Sequence, residues 1–204
     1  MEEKNKATTA IFDLGNVMLS WDVEQILASL PFTAAVKEEF RTHIFLDPMW
    51  LDWDSGTISE AELVELISER SPLEKKSIEG ALLAAKQSLT PFAESVAVLH
   101  ELSQAGVPLF CLSNMPVEMY EYIKHYDFFE LFDGIVISGR VGCIKPDPRI
   151  FHILLTRFNL AAERCLFIDD SPANIVQAQK IGLHNLHFKQ SKPCYETIRA
   201  TLLA

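Results

Sequence analysis

Thr8-Thr9-Ala10-Ile11-Phe12-Asp13-Leu14-Gly15-Asn16-Val17 is the stretch that decides the fold. A β-branched and aromatic run stops abruptly at a carboxylate and a Gly-Asn turn. This pattern predicts a buried strand that delivers one acid to the edge of a sheet, where α/β proteins place their ligands. A second delivery comes late in the chain, at Cys165-Leu166-Phe167-Ile168-Asp169-Asp170-Ser171. Two apolar strands ending in acid can converge on one cation. Position 15 is glycine, where a partner acid would make the chemistry simpler.

The chain has 204 residues, 49% of them apolar, which suits one domain or one domain carrying an insertion. Its formal charge is −10, from 18 basic and 28 acidic side chains. Such a chain is a poor partner for nucleic acid or an anionic membrane unless its basic residues cluster, and none do. The local group Glu74-Lys75-Lys76 reads as a solvated helix face. Cys111, Cys143, Cys165 and Cys194 lie far apart without CxxC spacing, which predicts buried, reduced thiols rather than disulfides or a zinc site. The start Met1-Glu2-Glu3-Lys4-Asn5-Lys6 is polar, with no apolar signal region behind it, and no apolar run is long enough to span a bilayer. The expectation is a soluble, cytoplasmic protein.

Residues 20–90 read as almost wholly helical. Asp22 with Gln25 has the form of a capping box, and so has Ser59 with Glu62, which opens an apolar face of Leu63, Leu66 and Ile67. From Pro91 the pattern becomes strand and helix in alternation. Ala93 to Gln104 is an amphipathic helix with Val96, Leu99 and Leu102 on one stripe, followed by a buried strand over Val107–Leu112 that ends at Ser113-Asn114. A helix from Pro116, a strand near Gly134–Ile137, a helix opened by Asp147-Pro148, the strand ending at Asp169, a helix closed by Gly182, a strand near His184–Phe188 and a helix from Pro193 complete the order. Such alternation predicts a parallel, doubly wound sheet with helices on both faces. The first crossover is too long for one helix. The expected division is therefore an α/β core of residues 1–19 and 90–204, with a helical cap of residues 20–89 inserted after the first strand and lying over the carboxyl ends of the strands.

Four sites fall at strand ends or in the loops after them: Asp13, Ser113-Asn114, Lys145 and Asp169-Asp170. Singly each has an ordinary structural reading, as a cap, a turn or an exposed lysine. Jointly they form a different object. Carboxylates from two strands make an oxygen-rich site for a hard cation such as magnesium. A hydroxyl, turn amides and an ammonium offer donors to a phosphoryl dianion. A carboxylate in line with phosphorus can act as nucleophile.

This ordered set resembles the haloacid dehalogenase superfamily of phosphohydrolases. The resemblance rests on Ile11–Val17, on Leu112-Ser113-Asn114, on Lys145-Pro146-Asp147-Pro148-Arg149-Ile150-Phe151 and on Phe167–Ile175. It implies a Rossmann-like core with a helical cap. The sub-pattern Phe12-Asp13-Leu14-Gly15-Asn16, with Trp53-Asp54-Ser55-Gly56-Thr57-Ile58-Ser59, is most similar to bacterial α-D-glucose-1-phosphate phosphatases. By that resemblance Asp13 is the nucleophile and a magnesium ligand. The Gly15 carbonyl and Asp170, with Asp169, complete the metal shell. Ser113, Asn114 and Lys145 hold the transferring phosphoryl group, Lys145 also serves catalysis, and Asn174 supports the loop. The implied reaction is hydrolysis of a small phosphorylated metabolite, a sugar phosphate such as glucose 1-phosphate, through an aspartyl-phosphate.

Most phosphatases of that superfamily carry a second Asp two residues after the nucleophile, and this chain has Gly15. Glycine keeps the carbonyl but cannot transfer a proton, a function worth roughly 100- to 10,000-fold in rate. Three readings follow: a substrate with a good leaving group, a substitute such as water or Asp22, or a weak or inactive relative that binds a phosphorylated ligand. Asp22 reads first as a helix cap. A dehalogenase needs no cation site, which Asp169-Asp170 weighs against. In the cap, Phe45, Met49, Trp50 and Trp53 bracket Asp47, Asp52 and Asp54; the pattern reads first as cap core with a solvated rim, and second as a surface for a sugar. The histidines show no metal-ligand spacing.

Overall fold

A computed structural model describes residues 6–203; the polar start at residues 1–5 lies outside the described residues. Strands β1 (Thr9–Phe12), β2 (Leu109–Ser113), β3 (Gly134–Ile137), β4 (Cys165–Asp169) and β5 (His184–His187) form one parallel sheet in the order β3-β2-β1-β4-β5. β1 is central: Ala10, Ile11 and Phe12 are apolar and all four of its residues, Thr9 included, are buried, as a strand covered on both faces requires. Alternation along each strand sorts the core into two layers. Phe12, Cys111 and Ile168 join one apolar cluster, while Ile11, Phe110, Leu112 and Phe167 join the other.

The second layer is closed by α8 (Pro148–Arg157) and α9 (Pro172–Ile181), through Ile150, Phe151, Leu154 and Ala178. The first is closed by α6 (Ala93–Gln104) and α10 (Lys192–Leu202), through Val98, Leu99, Leu102 and Ile198. Helix α7 (Val117–Ile123) follows β2. This is the expected doubly wound α/β core. Asp147 caps α8 by accepting the Arg149 amide, with Pro148 at its first turn, and Gly182 closes α9 with φ of 91°.

Between β1 and α6 the chain contributes helices only: α1 (Val23–Ser29), α2 (Ala34–Phe40) continued by a π-helical turn, α3 (Met49–Asp54), α4 (Glu60–Arg70) and α5 (Lys75–Ser88). Its entry and exit run side by side. Leu19 bridges Pro91 antiparallel, and the Ser20 amide donates to the Thr90 carbonyl at 2.9 Å. Trp53, Leu63 and Ile78 of the insertion are buried in the same cluster as Phe12 of the sheet, so the insertion packs onto the core with no break in the apolar interior.

On two helices the buried stripe differs from the expected one. On α4, Leu63, Val64 and Ile67 are buried while Leu66 is 40% exposed, because the helix meets its neighbours one row over from the predicted stripe. On α6 Val98 takes the core place expected of Val96, which is half-buried. Cys111, Cys143 and Cys165 are buried thiols, but Cys194 is only half-buried, being at the first turn of the outer helix α10. No helix among the described residues is long and apolar enough to cross a membrane.

Candidate active site

The chain leaves β1 for β2 and β3 on one side and places β4 on the other. The carboxyl ends of β1 and β4 therefore flank the point where strand order reverses, the crevice where α/β sheets bind ligands. Asp13 stands there, directly after Phe12. Its amide pairs with the Ile168 carbonyl at 3.0 Å, and its Oδ1 accepts the Leu14 amide at 2.7 Å and the Lys145 ammonium at 2.9 Å. Its Oδ2 carries no hydrogen bond among the described residues and is free to meet a ligand.

Lys145 is the hub of the buried polar layer. At 3% exposure, its Nζ reaches Asp13 Oδ1, Asp169 Oδ2 at 2.7 Å and the Leu112 carbonyl at 2.8 Å. Asp169 is fully enclosed. Both its oxygens accept from the Asn174 amide, Oδ1 also accepts the Ser171 amide, and Oδ2 the lysine. Asn114, expected to hold the phosphoryl group, clamps the lysine in this structure. Its Oδ1 accepts the Lys145 amide at 2.7 Å, and its Nδ2 donates to the Lys145 carbonyl at 2.9 Å. Ser113 ends β2 beside β1, buried, and its hydroxyl has no partner among the described residues.

Asp170 is half-exposed, and its Oδ2 accepts the Asn16 amide at 3.1 Å. Asn16 sits at φ of 52°, a left-handed position that Asn tolerates, so its side chain turns back to span the two acid-bearing loops. The Gly15 carbonyl accepts no hydrogen bond among the described residues. Asp13, Asp169 and Asp170 each offer a carboxylate oxygen, all within 4.8 Å of one another. Burial pushes the Asp13 carboxyl up to about 7, Lys145 opposing and Asp169 reinforcing the rise, and burial also raises Asp170. One lysine does not neutralise three such acids. The cluster is electrostatically incomplete, and an oxygen-only donor set of this kind fits a hard dication.

Over this layer lies a pocket of about 120 Å³, walled by Trp21, Trp50, Leu89, Met115 and Met119, with Gly15, Asn114 and Asp54 as its polar edge. The reading of Phe45, Trp50 and Trp53 as cap core with a solvated rim therefore holds only in part. Trp53 is fully buried, but Trp50 packs at 5.6 Å from Trp21 to form the pocket wall. Asp54 is not on a rim: it is 8% exposed and faces the site. Asp22 is the cap of α1, accepting the Glu24 and Gln25 amides. Asn16 and Asp54 are the site residues that sequence reasoning missed. The Gly-Asn turn pointed to the first. The second lies inside the Trp53–Ser59 motif, but nothing there set its carboxylate apart from those of Asp47 and Asp52.

With the fold and these distances in view, the chain belongs to the haloacid dehalogenase-like hydrolase family, whose model matches residues 7–182. Among curated relatives it is 27% identical over 184 residues to the sesquiterpene phosphatase astK of Aspergillus oryzae, spanning 89% of this chain and 90% of that protein. It is 25% identical over 182 residues to the drimenol cyclase drtB of Aspergillus calidoustus, of which it spans 33%. Its fold is similar to that of bt-2542, a HAD family enzyme from Bacteroides thetaiotaomicron solved with magnesium and inorganic phosphate. That likeness has a TM-score of 0.74 at 23% identity, over 91% of this chain and 96% of the other.

Proposed function

We propose that this hydrolase is a magnesium-dependent phosphomonoesterase that works through an aspartyl-phosphate on Asp13. The observation that carries the reading is the pairing of a half-free nucleophile with a buried acid cluster: Asp13 Oδ2 is unpartnered, while its Oδ1 is fixed by Lys145 and Leu14. Asp170 and the Gly15 carbonyl would hold the ion directly, and Asp13 would ligate it through Oδ1, which leaves Oδ2 to attack. Asp169, whose oxygens are already occupied, orients Lys145. Magnesium at this place supplies charge that offsets the repulsion between carboxylate and phosphoryl dianion.

The residues perform the remaining work. Oδ1 anchoring leaves Oδ2 the attacking atom, with no rotation needed. The Ser113 hydroxyl is left free for a phosphoryl oxygen, the Lys145 ammonium supplies positive charge through Asp13 beside it, and Asn114 keeps the lysine backbone still. The helical insertion, residues 20–89, acts as the cap that shields this layer from water. Its paired entry and exit at Leu19 and Pro91 supply one joint about which it is attached.

For the alcohol half of the substrate, the motif resemblance supports a sugar phosphate such as glucose 1-phosphate, which Trp21 and Trp50 could stack upon. The pocket lining supports a second reading. Leu89, Met115 and Met119 offer nothing to a sugar hydroxyl and suit an apolar alcohol, and astK is named for such a substrate. A phosphate-release screen with magnesium, holding sugar 1- and 6-phosphates beside prenyl phosphates, separates the two. Asp13→Asn should abolish turnover on every ester while the protein stays folded by circular dichroism. Retained turnover in that variant refutes the assignment.

A further inference from the structure

The structure assigns the missing proton-transfer role to Asp54, an acid delivered by the cap and not by the loop after β1. The assignment rests on the phosphatase reading above and gives that site its acid–base group.

The geometry is specific. Asp54 is the last residue of α3, yet it is 8% exposed, and its carboxylate has no hydrogen bond or ion pair among the described residues. A buried carboxylate left without a partner is costly unless a ligand or a proton meets it. It lines the same pocket as Gly15, the position whose side chain is absent. A Cβ built on Gly15 would meet nothing within 4 Å, so open space separates that backbone from the opposing wall.

The segment bearing Asp54 is also held firmly against the core. Ser138 Oγ donates to the Asp54 carbonyl at 2.5 Å and accepts the Met115 amide at 2.8 Å. Glu118, at the start of α7, accepts from Trp53 Nε1 at 3.1 Å and from the Glu60 amide at 3.0 Å. Gly56 and Gly139 pass so closely that a Cβ at Gly56 would fall 2.3 Å from the Gly139 carbonyl oxygen. An acid that only capped a helix would not need its turn fastened to the core on three sides.

The charged groups acting on Asp54 are Asp13 and Lys145. Burial raises its carboxyl to about 7, Asp13 adds to the rise and Lys145 opposes it. An acid in that range carries a proton in part and can return one. In the first half-reaction Asp13 Oδ2 bonds to phosphorus, the phosphorus–oxygen ester bond breaks, and the Asp54 proton goes to the leaving alkoxide. In the second, a water oxygen bonds to phosphorus and gives its proton to the Asp54 carboxylate. The bond to Asp13 then breaks, its electron pair returns to the carboxylate, and inorganic phosphate leaves. Each cycle consumes one ester and one water and restores both acids.

The test compares wild type with Asp54→Asn on alkyl and aryl phosphates, with magnesium present. Alkoxides need the proton and aryloxides do not. The expected result is a loss of alkyl turnover by roughly 100- to 10,000-fold. With an aryl phosphate the variant should release a stoichiometric burst of phenol and then stall, with phosphate trapped on Asp13 and visible by mass spectrometry of the intact chain. Alkyl turnover at the wild-type rate in Asp54→Asn, without a trapped intermediate, overturns the assignment and leaves the phosphatase reading standing. Absence of turnover by wild type on every ester overturns that reading, and this one with it.

Discussion

At the scale of the residue, the informative contrast is between Gly15 and Asp54. The first was legible as a gap in the pattern, because a glycine stands out after Asp13-Leu14. The second was not, because its role depends on a burial and a direction that no neighbour in sequence dictates. The two positions now make one prediction. Since a side chain at Gly15 enters open space, an acid placed there can reach the leaving oxygen. The double variant Gly15→Asp, Asp54→Asn should recover part of the alkyl-ester turnover that Asp54→Asn loses, and Gly15→Ala in the same background should recover none. Equal steady-state rates for the two double variants contradict the exchange of roles. Asn114 teaches the reverse lesson. Its place in a strand-end motif was plain, but the motif did not say that its amide would be spent on both backbone groups of Lys145.

At the scale of the element, position follows from how the cap turn meets the core. The turn after α3 carries Gly56 at φ of 73°, against Gly139 in the loop after β3. Only glycine suits both the left-handed backbone and the close approach. Gly56→Ala should therefore cost about 1–3 kcal/mol in stability and displace Asp54. The expected signature is a larger fall in kcat for alkyl than for aryl esters, beyond what thermal denaturation explains at the assay temperature. An equal effect on both ester classes argues that the turn does not set the acid. The helices themselves were well marked in sequence. Asp22, Ser59 and Asp147 each cap the helix expected of them. Which row of a helix faces inward was less so, as Leu66 and Val64 show, because periodicity defines a stripe but the neighbour selects which edge of it is covered.

At the scale of the whole molecule, three carboxylates converge from two loops with one lysine among them. Bringing them together without a cation is unfavourable, so a dication that binds only the folded state should stabilise it. At a hundredfold excess over its dissociation constant the gain is about 2.7 kcal/mol, which for a chain of this size raises the melting temperature by roughly 5 to 10 °C. Differential scanning fluorimetry with and without magnesium measures this. Asp170→Asn should remove most of the shift, and EDTA should abolish turnover. A full magnesium shift in Asp170→Asn would remove that residue from the cation site.

The sequence by itself determined the sheet, its parallel sense and the set of acids at its edge. Those follow from local patterns: apolar runs of strand length, turn residues at their ends and caps at helix starts. The tertiary structure alone decided which oxygen of Asp13 is free, that Asn114 holds Lys145, and that a cap acid faces Gly15. These are relations between residues tens of positions apart, created when two apolar layers and a helical insertion pack on one another. Pattern along the chain records which stretches are apolar and where elements begin and end, but not which buried atoms meet.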